Sequence, residues 1–164
     1  MKALSGYAEW FWLICKGWKD VENRTWPLPH NMACNLPARI YLHASRSDAV
    51  RHNREDLDFI RHNLTAEQWD VFCLADWPRM RGFIIGEVTI TSHFKRREYR
   101  ERDNVDIGSQ QRQLQLAIAN HEPYTSPWFF GPFGYAVRDG ALYNHPIPCK
   151  GRLGFFEPDI KGAI

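Results

Sequence analysis

The closing third of the chain sets the tightest limit on its fold. Residues 135–138, 141–143 and 151–156 read as short strands, separated only by Asp139-Gly140 and by Pro146 and Pro148. Parallel neighbours in a sheet need a crossover of roughly a dozen residues or more, so a doubly wound parallel sheet has no room here. Asp-Gly between two strand-like runs predicts a tight hairpin. Upstream, residues 83–90 form the clearest strand pattern, apolar almost throughout as in a strand covered on both faces. Gly86 within it predicts a bulge or a close backbone approach. Glu87 in the same run is either a paired carboxylate or part of a site.

The N-terminal half alternates helix and strand signals. Residues 8–16 are apolar on most sides and predict a deeply docked helix, with Ser5 as its N-cap and Gly17 as its stop. A strand is expected over 20–26, then a loop to Pro37 with too many prolines for regular structure. Residues 39–44 predict a strand with Ile40, Leu42 and Ala44 on one side and Arg39, Tyr41 and His43 on the other. Helices are expected within 47–63, over 66–74 with Thr65 as cap, and over 110–120. The stretch from Ser126 to Tyr135 is a dense aromatic turn region whose prolines and glycines restrict its backbone.

At 164 residues the chain is read as one domain. The element order predicts a mixed α/β fold with a mainly β core: a small β-barrel carrying flanking helices and helical insertions near 48–80 and 93–120.

Charge excludes a protein that coats polyanions along its whole surface, since the net charge is only +2. Basicity is local: residues 95–103 carry five basic and three acidic side chains, a pattern that fits either a solvated face or a modest phosphate-contacting patch. Cys15, Cys34, Cys73 and Cys149 form no C-x-x-C pair, and no His-x-x-x-His or His-Glu-x-x-His pattern accompanies them, so neither a metal nor another cofactor is expected. No signal region or membrane-length apolar run is present, which predicts a cytoplasmic protein with reduced thiols and no membrane partner. The seven tryptophans are many for this length and invite the stacking of a flat ligand.

The site candidate lies at Gly17-Trp18-Lys19-Asp20-Val21-Glu22-Asn23-Arg24. In the predicted strand Glu22, Arg24 and Trp26 share one face. That face offers an acceptor-only carboxylate, a planar five-donor fork and an indole, a set suited to a flat polar ligand. The alternative is an ordinary ion pair beside a packing tryptophan. His43, near a strand end, is either a hydrogen-bonded structural residue or a contributor to the same site.

Those eight residues resemble the G-x-K-x-x-E-x-R signature of ASCH domains, which belong to the PUA-like superfold. Three further segments are similar in type and order: Tyr41-Leu42-His43-Ala44-Ser45, Gly82 to Val88, and Ser126-Pro127-Trp128 through Gly134-Tyr135. The resemblance implies a PUA-like barrel with a cleft lined by Lys19, Glu22 and Arg24, and a role in binding RNA, another nucleic acid or a nucleotide. Trp26, His43 and Trp128 complete the expected ligand-binding set. Some compact ASCH proteins hydrolyse N4-acetylcytidine with a lysine and a threonine three residues later. Lys19 matches that lysine, but Glu22 stands in the threonine's place, and an ionised carboxylate there holds a lysine charged rather than nucleophilic. If the chain is an enzyme, Lys19 and Glu22 are its catalytic candidates, with Glu22 or Glu87 as general base and Lys19 stabilising an oxyanion. A small amidohydrolase acting on a modified nucleoside is thus the alternative to a binding domain, and a ribonuclease is the more remote one.

Overall fold

A computed structural model describes residues 1–47, 53–96 and 126–160. The elements in chain order are β1 (Ala3–Gly6), α1 (Ala8–Cys15), β2 (Val21–Arg24), α2 (His30–Ala33), β3 (Ala38–Ala44), α3 (Arg54–His62), α4 (Ala66–Cys73), α5 (Trp77–Met80), β4 (Phe83–Lys95), β5 (Phe133–Pro148) and β6 (Phe155–Phe156). The strands form a six-stranded sheet in the order β2-β5-β4-β3-β1-β6. This is the mixed α/β class with a β core. The helix expected over 110–120 and all but the first two residues of the patch at 95–103 lie outside the described residues.

Two compact units divide the chain. The first comprises residues 1–19, 39–89 and 138–164, and the second comprises residues 20–38 and 90–137.

In the first unit β1 runs parallel to β3, with Ser5 opposite His43, and antiparallel to β6. Helix α1 is buried along its whole length, Glu9 included. Its sequence explains that: AEWFWLIC carries no stripe of polar residues that could face water. Gly17 ends the helix at φ 69°, with its N–H bonded to Ile14 O and the Trp18 N–H to Leu13 O. Ser5 is not the N-cap. Tyr7 holds that position without a side-chain cap, and the residues before it extend as β1. Thr65 and Gln68 form a reciprocal capping box at the start of α4.

The Asp139-Gly140 hairpin does not form: β5 continues from Phe133 to Pro148. Asp139 takes φ 55°, and a Cβ on Gly140 would lie 2.2 Å from the Ile14 carbonyl oxygen. The glycine is there because the α1 backbone presses on the strand, not because the chain reverses. Gly86 meets the expectation of close approach, with Ala141 O and Cys15 Sγ where its Cβ would stand.

In the second unit β2 pairs antiparallel with the first residues of β5: Val21 opposite Ala136, Glu22 opposite Tyr135, Asn23 opposite Gly134 and Arg24 opposite Phe133. The proline-rich loop after it is not wholly irregular. Pro29 accepts from Met32 and Ala33, so the turn α2 forms between the prolines, anchored by buried Leu28 and Met32.

Candidate functional site

Strand β2 is shorter than the 20–26 expected and ends at Arg24: its period sets Glu22 beside Arg24, and Trp26 meets Arg24 from the bend that follows. Arg24 Nη2 lies 2.9 Å from Glu22 Oε1, and the Arg24 guanidinium carbon is 5.7 Å from the centre of the Trp26 ring. Arg24 thus joins an ion pair within β2 to a cation–π contact just beyond it. Tyr135, buried beneath, meets the Trp26 ring edge-on at 5.8 Å and donates its hydroxyl to the Trp26 carbonyl at 3.0 Å. Burial pushes the Tyr135 phenol up, Arg24 works against that shift, and Glu22 adds to it. Tyr135 is therefore a neutral donor, and it fixes the backbone that carries Trp26.

The residues between the signature positions do different work. Asn23 donates to the Trp128 carbonyl at 2.8 Å and accepts from the Phe130 and Gly131 N–H groups, each at 3.0 Å. Asp20 accepts from the Ser126 hydroxyl, whose oxygen accepts in turn from the Trp128 N–H. The turn at 126–131 is thereby tied to the β2 segment at both ends. Trp128 is only 4% exposed, so its ring serves as packing in this structure. Phe129 stacks edge-on against Phe94 at 4.7 Å, and both rings cover Gly134, where any side chain would clash. Asp20 and Asn23, which hold Trp128, are not among the residues expected to bind a ligand. The signal was present, since Asn23 interrupts a strand pattern with an amide beside a loop of backbone groups that need partners.

Lys19 and His43 belong to the first unit. Lys19 is 2% exposed, with its ammonium 5.5 Å from the centre of the Trp10 ring. His43 is buried between the Ser5 hydroxyl at 3.0 Å from Nδ1 and the Cys149 carbonyl at 3.0 Å from Nε2. The carbonyl can only accept, so Nε2 carries the proton and Nδ1 accepts from Ser5. Desolvation lowers the His43 pKa, the Cys149 carbonyl opposes that shift, and Arg46 adds to it. Glu87, the other carboxylate weighed from the sequence, is also in this unit. Arg39 holds its Oε1 and Tyr143 donates to its Oε2, each at 2.9 Å.

A depression of about 400 Å³ lies beside the C-terminal segment, lined by Cys149, Lys150, Arg152, Glu157 and Asp159 among others. Its cations and carboxylates balance, and nothing there matches the signature residues. Among the described residues no group of three or more His, Cys, Asp or Glu side chains is placed to hold a metal ion, and no helix is long and apolar enough to cross a membrane.

No family model and no curated protein matches the chain. Among solved structures, it is similar in fold to an ASCH protein from Zymomonas mobilis. A tyrosine-to-phenylalanine variant of that protein aligns at 17% identity and a TM-score of 0.40, covering 89% of this chain and 73% of its own. A serine-to-alanine variant aligns at 16% and 0.39, covering 89% and 72%. The unsubstituted protein aligns at 16% and 0.37, covering 86% and 68%.

Proposed function

We propose that the chain is an ASCH-type binding domain that captures a nucleotide or an exposed base of RNA or another nucleic acid. The observation that carries this reading is the Glu22–Arg24–Trp26 series of contacts, in which a donor fork at the end of β2 touches an acceptor on one side and an indole from the following bend on the other. Glu22 and Arg24 would read the hydrogen-bonding edge of the base, and partly exposed Trp26 would stack on it. Trp128, being buried, contributes by shaping the turn it belongs to. Lys19, 2% exposed, would reach a phosphate only by displacing what now buries it, and His43 has a structural role through Ser5 and Cys149.

The alternative is an amidohydrolase acting on a modified nucleoside such as N4-acetylcytidine, with Lys19 and Glu22 at the reacting centre. Binding is favoured over it because both carboxylates that could serve as general base are engaged, Glu22 by Arg24 and Glu87 by Arg39 and Tyr143. A base must face the proton it takes.

Oligonucleotide affinity measured against salt concentration tests the reading. Arg24→Ala and Trp26→Ala should each weaken binding by about 1–3 kcal/mol, and Lys19→Ala should also flatten the salt slope. Equal, salt-insensitive binding by all variants would remove it. Incubation with acylated cytidine nucleosides tests the alternative: turnover lost in Lys19→Ala and Glu22→Ala would put the enzyme first.

A further inference from the structure

The turn α2 brings a thiol and an imidazole together at the surface, away from the signature residues. Cys34 and His30 are four residues apart and both exposed, with Cys34 Sγ 3.4 Å from His30 Nε2 and 3.7 Å from Nδ1. A tetrahedral zinc ion with bonds of about 2.3 Å to sulfur and 2.0–2.1 Å to nitrogen needs those two donors roughly 3.6 Å apart. The two separations bracket that value, so a small rotation of the ring suffices to chelate.

The turn is also held in place before any ion arrives. The Cys34 N–H bonds to His30 O at 2.9 Å, the Met32 N–H bonds to Pro29 O at 2.8 Å, and the Met32 and Leu28 side chains are buried beneath. Prolines at 27, 29 and 37 restrict the flanks. Little conformational freedom is left to lose on binding. Between Pro27 and Pro37 there is no Asp, Glu, Lys or Arg, so no carboxylate competes and no cation of this segment repels the ion. The other cysteines differ in setting: Cys15 is buried, Cys149 is half-buried, and exposed Cys73 has no histidine in its own helix.

We propose that His30 and Cys34 form half of a site for a thiophilic divalent cation of the zinc type, completed by the same pair from a second copy of this chain. One pair fills two of four tetrahedral positions and leaves two to water. Two pairs meeting through an exposed turn give a Cys₂His₂ donor set, one of the closed tetrahedral sets that hold structural zinc. Each Cys34 thiol gives up its proton to solvent as the sulfur–metal bond forms, and each imidazole donates a ring-nitrogen lone pair without losing a proton. No oxidant or reductant is involved. The inference is independent of the nucleic-acid reading.

Titration of the reduced, metal-free chain with Co²⁺ tests it, with absorbance reporting thiolate coordination and sedimentation velocity reporting assembly. A thiolate-to-cobalt charge-transfer band should saturate at about half an equivalent of Co²⁺ per chain, together with a monomer-to-dimer shift that Zn²⁺ reproduces and a chelator reverses. His30→Ala and Cys34→Ser should each lose the band and the dimer, with apparent affinity falling at least tenfold, while Cys73→Ser retains both. Circular dichroism confirms that the variants are folded. Absence of the band, its persistence in Cys34→Ser, or saturation at one ion per monomer would overturn the proposal.

Discussion

Asn23 binds the Trp128 turn from both sides of its own amide: its nitrogen donates to the Trp128 carbonyl at 2.8 Å while its oxygen accepts from Phe130 and Gly131. Asn23→Ala removes all three bonds. A loss of about 1–3 kcal/mol of stability is expected, read as a lower urea midpoint. Asn23→Asp keeps the acceptor and loses the donor, so it should fall between Asn23→Ala and wild type. Equal stability of all three proteins would show that the turn is held by other means.

Glu9 and Arg81 form a buried ion pair, 3.5 Å apart with the carboxylate almost fully enclosed. Removing one charge strands the other, so Arg81→Met should cost about 3–5 kcal/mol. The double variant Glu9→Leu/Arg81→Met should recover part of that loss, because two desolvated charges are replaced by apolar surface. A double-mutant cycle by chemical denaturation measures the coupling, and strictly additive effects would contradict it.

Gly86→Ala drives a methyl group into the Ala141 carbonyl oxygen and the Cys15 sulfur. Both neighbours belong to packed elements, so a cost near the upper end of the usual overpacking range, about 3 kcal/mol, is expected in thermal or urea unfolding. The same packing protects Cys15, whose thiol burial pushes up to about 12, with Arg39 pulling it down and Glu87 pushing it up. A thiol reagent should label exposed Cys34 and Cys73 in the folded protein and Cys15 only after unfolding. Fast labelling of Cys15 under native conditions would show that β4 does not seal it.

Glu87 and His43 are among the groups that should make stability depend on pH, and His93, likewise depressed by burial, adds to the His43 stage. Burial raises the Glu87 pKa, but the Arg39 and Tyr143 hydrogen bonds and the Arg39 charge outweigh it and leave the carboxyl below its ordinary value. A depressed carboxyl adds stability that is complete above the unfolded-chain pKa of about 4.3 and disappears as pH falls through the folded value. His43 is also depressed, mainly by burial. Its contribution is complete above about pH 6.5 and is lost as pH falls through its folded value. Urea midpoints should therefore fall in two stages on acidification. Glu87→Gln should flatten the stage below about pH 4.3 and His43→Gln the one just below about pH 6.5. Unchanged slopes in either variant would reject the corresponding assignment.

How far the fold could be read from the sequence depended on whether its cause was local. Gly17 stops α1 and Thr65 caps α4 as expected, because each motif satisfies backbone groups within one turn of itself. The alternation that sets Glu22 beside Arg24 is likewise a property of one strand, whereas Trp26 meets Arg24 from beyond its end. Asp139-Gly140 misled because a glycine required by a distant helix has the same letter as one required by a turn. Ser5 misled similarly, since its hydroxyl is committed to His43, thirty-eight positions away. The latch made by Asp20 and Asn23 needed knowledge of which backbone groups in the aromatic turn lacked partners, and periodicity carries none of that information.

Helix α1 has eight residues and no solvent-facing side. A helix that short is not stable alone in water, and its side chains offer nothing to hold it at a surface. Its formation and the closure of the first unit around it are therefore a single event. Its amide hydrogens should exchange only when that whole unit opens, at one common free energy, whereas those of the more exposed α3 and α4 should also escape through local fraying.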